Sequence, residues 1–171
     1  MTNGLGVLAI ALAIAAIAAG CGGGSDATGD PSTSEGSTAV IPPVKTSSIS
    51  KAEYIPRANK VCDESWESML ESFASRYHSA TKGKPFVEAS ENIFLPSMQF
   101  WFDDISYIGA PEGEKDQVEN MLESLQLAVY KGEEQPVSSP KQLVAIFADF
   151  SHLAGQYGLD SCLVEESSFE A

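Results

Sequence analysis

The side chains that could bind a metal ion are few and are not grouped. The chain has 171 residues and two histidines, His78 and His152. His152 follows Asp149 by three positions, so both would lie on similar faces of a helix and could share a metal ion. They point away from the apolar stripe of that helix, and no Glu-x-x-His repeat of the di-iron bundle type accompanies them. We interpret the pair as a surface feature and His78 as a residue at a helix end.

Haem binding would require a buried pair of axial ligands, such as a histidine with a methionine. Met69, Met98 and Met121 recur on apolar stripes of predicted helices, and no CxxCH motif for covalent haem attachment occurs. Methionine is a common packing residue in hydrophobic cores. The sequence therefore predicts packing methionines and no cofactor.

Acidic side chains form clusters and dominate the charge. The chain has 24 acidic and 10 basic residues, a net charge of −14. Such a bias argues against nucleic acid as a partner, because few basic side chains are present to neutralise phosphates. The EF-hand spacing is absent, so the clusters are interpreted as solvated helix faces rather than Ca²⁺ sites. The clustered acids are Glu64, Glu67, Glu71, Asp103, Asp104, Glu112, Glu114, Asp116 and Glu119.

Serine is plentiful, but no serine lies in a nucleophile motif. The GxSxG sequence of the α/β-hydrolases does not occur, and no serine is accompanied by a matched base. We therefore predict that the protein is not an enzyme and has no catalytic residue.

The N-terminus has the pattern of an export signal. Residues 7–19 are an unbroken run of 13 apolar side chains, the length of a signal-peptide core and too short for a membrane-spanning helix. The run ends at Ile17-Ala18-Ala19-Gly20-Cys21, which resembles the lipobox of bacterial lipoproteins. That resemblance implies cleavage before Cys21 and attachment of acyl chains to its thiol. The alternative is a signal that is uncleaved or cleaved elsewhere.

A polar segment follows the lipobox. Of the 27 residues in 22–48, 18 are Gly, Ser, Thr or Pro and none is aromatic. Such a composition predicts a disordered tether with a reach of about 30 Å. We divide the chain into a signal peptide (1–20), a lipidated cysteine with its tether (21–49) and a helical domain (50–171).

The domain has the periodicity of four amphipathic helices. The first follows a capping box at Ser50 and Glu53, the second spans 85–108 and stops at Gly109, and the third runs from about 114 to Lys131-Gly132. The fourth begins at a second capping box in 139–142 and ends at Gly158, and Pro56 and Pro96 are predicted kinks. We predict an all-α fold, an antiparallel bundle of about four helices, with an irregular all-α fold as the alternative.

Two cysteines remain after Cys21 is assigned to lipid. Cys62 lies on the first predicted helix and Cys162 follows the fourth. An even pair in an exported protein favours a disulfide, here one that staples the tail to the first helix. Two free thiols or an intermolecular bond are the alternatives.

Three consecutive aromatic residues give the one candidate partner surface. Phe100, Trp101 and Phe102 cover about 200° of a helix, whereas a core stripe is little wider than 100°. Trp101 lies on the predicted core stripe, and its neighbours lie about 100° to either side. We predict that one of Phe100 and Phe102 is exposed to a lipid, a glycan or a partner helix, unless both flanks touch neighbouring helices.

Several short motifs resemble a group of small secreted actinobacterial lipoproteins that has no characterised activity. The resemblance implies lipid anchoring and a helical fold, and no mechanism. It covers most of the domain through caps, turns and cysteines, namely Ser50-Lys51-Ala52-Glu53-Tyr54-Ile55, Ala58-Asn59, Cys62, Ala110-Pro111-Glu112-Gly113, Tyr157-Gly158-Leu159 and Cys162.

The sequence therefore predicts a lipoprotein on the extracytoplasmic face of the cell membrane, with a non-catalytic binding or structural role. Its expected partners are the bilayer, through Cys21, and an envelope protein or small ligand. A metal- or cofactor-carrying helical bundle is the alternative function.

Overall fold

The computed structural model describes residues 43–78 and 80–169. The predicted signal peptide, the lipidation site Cys21 and residues 22–42 of the predicted tether lie outside the described residues. The described part of the chain is an all-α fold, a helical bundle with a single isolated β-bridge. The predicted fold class is confirmed.

Helix α1 (Lys51–Tyr77) begins at the predicted capping box. The backbone N–H and the hydroxyl of Ser50 both donate to Oε2 of Glu53 at 2.9 Å, and the backbone hydrogen bond lowers the pKa of Glu53. The helix continues through Pro56, which lies in its second turn. It ends at His78, which has a left-handed backbone (φ 53°). The prediction that His78 lies at a helix end is confirmed.

The predicted second helix is built from three consecutive segments, α2 (Lys84–Ala89), a π-helical turn (Ser90–Phe94) and α3 (Leu95–Ile108). The Leu95 N–H donates to the Ser90 carbonyl oxygen five residues earlier, which is the π pattern. Pro96 has no N–H, and its ring would clash with the carbonyl four residues before it in a regular helix. The widened turn accommodates the ring, so the irregularity predicted at Pro96 is a π turn. The helix ends at Gly109, as predicted.

Helix α4 (Lys115–Glu134) runs past the position where the sequence predicted its end. A Cβ atom on Gly132 would lie 2.5 Å from Cδ2 of Leu95, so a larger residue at this position would require the Leu95 side chain to move. Gly132 is therefore a packing residue inside the helix. The prediction that Lys131-Gly132 terminates the helix is wrong.

The predicted fourth helix is divided into α5 (Pro140–Ile146) and α6 (Ala148–Tyr157). The Ser139 hydroxyl caps α5 by accepting from the Gln142 N–H at 3.3 Å. The break is at Phe147, whose φ of −93° and ψ of 8° lie in the bridge region while its ring is fully buried. Apolar spacing continues across the break, which is why periodicity predicted one helix. Gly158 ends α6 in a left-handed conformation, and Leu159 N–H donates to Ala154 oxygen at 2.8 Å.

The helices pack around one hydrophobic core. Helix α3 packs against both α1 and α4, and α4 also packs against α6. The methionines predicted to pack the core are all buried: Met69, Met98 and Met121. Phe169 from the C-terminal tail lies in an aromatic cluster, 5.1 Å from Phe94 and 5.8 Å from Trp66 between ring centroids.

A disulfide joins α1 to the tail. Cys62 and Cys162 are bonded, with their Cα atoms 5.1 Å apart across 100 positions of sequence, as predicted. Beside the bond, the Asn59 side chain donates to Gly158 oxygen at 3.2 Å and accepts from Ser161 N–H at 3.0 Å. We call this region (Asn59, Cys62, Gly158, Ser161 and Cys162) the α1–tail junction.

Residues 43–49, assigned to the tether from their composition, are packed on the domain. Ser47 N–H donates to Ala110 oxygen at 2.7 Å, and Ala110 N–H donates to Lys45 oxygen at 2.8 Å. A Cβ on Gly109 (φ +78°) would lie 3.0 Å from Lys45 oxygen, so glycine leaves room for this segment. Val44 is buried. The predicted boundary at 49 is therefore too late, and the folded domain includes residues 43–49.

Among the described residues, no helix combines the length and the apolar composition needed to cross a membrane.

Candidate functional site

The three consecutive aromatic residues of α3 have different environments. Trp101 is fully buried, with its ring centroid 5.5 Å from that of Trp66 and 6.4 Å from that of Phe150. Phe102 is also buried, whereas 64% of Phe100 is exposed. The predicted core position of Trp101 is confirmed. Of the two residues assigned to a partner surface, Phe100 is accessible and Phe102 is not, so Phe102 is a core residue.

A second aromatic side chain lies on the same face of α3 as Phe100. Tyr107 is 92% exposed and follows Phe100 by seven positions, which is two helical turns or about 10.5 Å along the axis. Met98 and Ile105, which are also seven positions apart, are buried on the opposite face. The outward position of Phe100 and Tyr107 therefore follows from the direction in which α3 packs.

Helix α4 contributes two more exposed apolar side chains, Leu127 (49%) and Tyr130 (40%). The short connection between α3 and α4 makes them antiparallel neighbours, and Gly132 lies against Leu95. Counting five residues along each helix from that contact places Phe100 level with Leu127. All of the exposed large hydrophobic side chains in the described part of the chain lie on these two helices. We call the exposed sides of α3 and α4 that carry Phe100, Tyr107, Leu127 and Tyr130 the outer face.

The two helices that carry the outer face have an excess of negative charge. Residues 95–134 contain nine acidic and two basic side chains. Hydrogen bonds here are local, from Gln99 to Asp103 at 3.3 Å and from the Tyr130 hydroxyl to Glu134 at 2.6 Å. The hydrogen bond to the Glu134 carboxylate raises the pKa of the Tyr130 hydroxyl. None of these contacts covers the aromatic rings, so they remain available to a partner.

A shallow groove of about 330 Å³ adjoins the outer face between α1 and the segment that contains the π turn. Phe100 forms part of its wall, and Arg76, one of two arginines in the chain, lies in its lining. A row of serines on α1 gives the groove polar character, and Met69, Ile93 and Pro96 give it apolar character. The groove extends the accessible surface beside Phe100 and contributes hydroxyl groups and one positive charge. The α1 serines are Ser65, Ser68 and Ser72.

The two candidate metal ligands, Asp149 and His152, lie three positions apart at the surface of α6. His152 is exposed, and its ring nitrogen lies 2.9 Å from the Gln156 side-chain nitrogen. Asp149 is exposed as well. No group of three or more His, Cys, Asp or Glu side chains in residues 43–78 and 80–169 is arranged to hold a metal ion.

The predicted acidic clusters lie at the surface. Glu64, Glu67 and Glu71 are exposed on α1. The acids of residues 112–119 are partly paired, because Glu114 accepts from Lys51 at 3.1 Å and Glu119 lies 3.4 Å from Lys115. The exposed carboxylates of Glu64, Glu67 and Glu71 form a solvated face of α1.

Two tyrosines near the α1–tail junction are buried and unpaired. The Tyr54 and Tyr157 rings meet edge-on with centroids 5.7 Å apart, and neither hydroxyl has a hydrogen-bond partner among the described residues. Burial raises the pKa of Tyr157 to about 12, with a further contribution from Glu114, and burial raises the pKa of Tyr54 as well. Lys51 Nζ lies 4.1 Å from the centre of the Tyr157 ring, where a cation is attracted to the ring face.

Sequence reasoning missed three parts of this picture. Tyr107 continues the exposed stripe two turns after Phe100, and this spacing was available from the sequence. The exposure of Leu127 and Tyr130 depends on which side of α4 packs against α3, so periodicity alone leaves it open. Asn59 bridges residues 99 and 102 positions away, and no local pattern signals such a contact.

No protein-family model, curated protein or solved structure matches this chain.

Proposed function

We propose that this protein is a lipid-anchored lipoprotein of the extracytoplasmic membrane face whose helical domain binds a partner through the outer face. The role is non-catalytic. The observation that carries the binding function is that the exposed large hydrophobic side chains of the described residues all lie on α3 and α4. Single exposed apolar side chains are common on soluble domains, but their concentration on two adjacent helices is typical of an interaction surface.

The contrast between Phe100 and its neighbours supports this proposal. The core already contains Trp101 and Phe102 in fully packed positions, so Phe100 is not needed to complete it. An aromatic side chain buries about 150–250 Å² when a partner covers it. Phe100 and Tyr107 together therefore offer an apolar contact area that the fold itself leaves unused.

The membrane anchor is supported by the lipobox residues and by the disulfide. Cys21 follows small residues at the end of the apolar run, where lipoprotein processing requires a thiol. The Cys62–Cys162 bond suits an exported protein in an oxidising compartment. A thioether-linked diacylglycerol supplies two acyl chains, which are enough for stable anchoring where one chain is marginal.

The anchor is tested with Cys21→Ser expressed from the full coding sequence. Wild-type protein should begin at Cys21, carry acyl mass and sediment with membranes, whereas Cys21→Ser should remain an unacylated precursor. Ser25→Ala, four residues downstream, is the matched control and should be processed as wild type. Cleavage at another bond without acyl mass would contradict the anchor.

The binding role is tested by photo-crosslinking in intact cells. A photoreactive phenylalanine analogue at position 100 or 107 should form a defined crosslinked species. The same analogue at Glu67, an exposed position on α1, is the control and should form none. Equal crosslinking from all three positions, or none from 100 and 107, would refute a binding role for the outer face.

A further inference from the structure

We infer that the outer face takes a basic amphipathic protein segment, in which Lys or Arg side chains flank an apolar stripe. The inference rests on the proposed binding function and adds the chemistry of the partner. It is carried by the distribution of charge around the four exposed apolar side chains, and by the spacing of the two aromatic rings on α3.

Negative charge is concentrated on the two helices that form the outer face. Residues 95–134 hold nine acidic and two basic side chains, a net charge of −7. The described residues as a whole hold twenty acidic and ten basic side chains, a net charge of −10. Less than a third of the described chain therefore accounts for most of its net charge, and that part also contains every exposed large hydrophobic side chain described.

The acids nearest the exposed rings are not neutralised within the domain. Asp103 and Asp104 lie between Phe100 and Tyr107 in sequence and are exposed, as is Glu123, one turn before Leu127. In the described part of the chain these three carboxylates have no lysine or arginine within ion-pair distance. Their field extends about 10 Å at 0.1 M salt, far enough to act on a partner that contacts the rings.

This charge decides between the occupants that an aromatic face could have. An anionic bilayer surface attracts basic segments and would repel this face. A second copy of the chain in a two-fold arrangement would bring the same acids against each other. A partner with basic side chains is attracted by the negative field of these acids, which raises its association rate and its specificity.

The geometry favours a helical segment. The side chains of Phe100 and Tyr107 are separated by two turns along α3, the same interval that separates apolar side chains at positions i and i+7 of another helix. A helix lying along α3 would place its apolar stripe against both rings, with its flanking basic side chains near Asp103 and Asp104, which lie on either side of the line that joins the rings.

The first test is to sequence the partner segment crosslinked from positions 100 and 107 of the lipoprotein in intact cells. The expected segment has an excess of Lys and Arg and apolar residues at three- and four-residue intervals. Crosslinks to lipid, to a second copy of the chain or to a neutral or acidic segment would overturn this inference and leave the proposed binding function standing. The absence of crosslinks would overturn both.

The second test uses a defined probe, an 18-residue amphipathic helical peptide with a leucine stripe and lysines elsewhere. Fluorescence anisotropy against the full lipoprotein in neutral detergent should show binding that weakens at least tenfold in Phe100→Ser/Tyr107→Ser, which keeps every charge. Asp103→Asn/Asp104→Asn should weaken binding and reduce its salt dependence. The same peptide with glutamates in place of lysines should not bind.

The matched control removes two acids elsewhere. Glu67→Gln/Glu71→Gln on α1 leaves the outer face intact and should change the dissociation constant less than twofold. If this variant weakens binding as much as Asp103→Asn/Asp104→Asn, or if the aromatic variant binds like wild type, the peptide is held by net charge alone and the inference is wrong.

Discussion

At the α1–tail junction, side-chain hydrogen bonds join residues 99 and 102 positions apart, whereas on the outer face they join residues four positions apart. Asn59 uses both ends of its amide to hold Gly158 and Ser161, and the neighbouring disulfide fixes the same two segments. Gln99 and Tyr130 bond only within their own helices.

This difference separates a structural region from one available for binding. The disulfide reduces the freedom of the unfolded chain, and the two hydrogen bonds of Asn59 stabilise the native connection between the same distant segments. Local contacts on an exposed helix contribute little to stability and leave the surface free to pair with another molecule. We therefore expect substitutions at the junction to change stability, and substitutions on the outer face to change binding.

The largest expected effect is loss of the disulfide. Cys62→Ser/Cys162→Ser should lower the free energy of unfolding by about 4–5 kcal/mol, because the bond closes a loop of 100 residues in the unfolded chain. Urea denaturation measures the change, and reduction of wild-type protein is the control that should give a similar loss. If the variant and wild type unfold at the same urea concentration, the junction is not the stabilising region we describe.

The next effect compares two neighbouring rings on α3. Trp101→Ala should cost about 3–5 kcal/mol, because it leaves a cavity between Trp66 and Phe150. We expect the low end of that range, because the buried indole N–H has no hydrogen-bond partner among the described residues. Removing it eliminates the free-energy cost of burying an unpaired donor. Phe100→Ala, one residue away, is the matched control and should cost less than about 0.5 kcal/mol. Equal losses of stability in the two variants would show that Phe100 supports the fold as much as Trp101 does, and that α3 has no face available for binding.

Much of the fold was predictable because its signals are local. The capping box at Ser50, the left-handed glycine at 158 and the apolar stripes each depend on residues within one or two turns. The disulfide was predictable by elimination, since Cys21 was assigned to lipid and two cysteines remained.

The errors concern contacts between segments distant in sequence. Gly132 has the composition of a helix end, but the proximity of Leu95 makes it a packing residue. Residues 43–49 have the composition of a tether, but their backbone pairs with Ala110. Whether Phe100 or Phe102 is exposed likewise depends on where α1 and α4 lie around α3. The spacing of residues within α3 carries no information about those positions.

A smaller effect tests the amide at the junction. Asn59→Ala removes two long-range hydrogen bonds and should lower the free energy of unfolding by about 1–3 kcal/mol. Gln99→Ala removes one local hydrogen bond on α3 and should change stability by less than about 0.5 kcal/mol. Chemical denaturation of both variants under one set of conditions gives the comparison. The contrast between the two regions is contradicted if Gln99→Ala lowers the free energy of unfolding as much as Asn59→Ala does.

The buried tyrosines predict how stability depends on alkaline pH. The pKa of Tyr157 is raised to about 12 by burial, above the ordinary value near 10 that applies to the unfolded chain, and the pKa of Tyr54 is raised in the same direction. Folding therefore favours the neutral hydroxyls. Their contribution is complete below about pH 10 and is lost as the pH rises toward the folded value. Tyr54→Phe/Tyr157→Phe should flatten the decline in urea midpoint above pH 10, and parallel declines in variant and wild type would contradict this account.

The smallest expected change in stability belongs to the outer face, and it is the change that distinguishes a binding surface from a core. Phe100→Ser/Tyr107→Ser alters two side chains that are 64% and 92% exposed, so the free energy of unfolding should change by no more than about 0.5 kcal/mol. The α3 helix should persist, because its buried stripe is untouched. Thermal melts and urea denaturation measure this, with Trp101→Ala as the destabilised reference. If the double variant melts as early as Trp101→Ala, Phe100 and Tyr107 support the fold and the contrast between the two regions is lost. If it melts like wild type but loses its crosslinks and its peptide affinity, the two rings serve binding alone, since nothing in the domain depends on them.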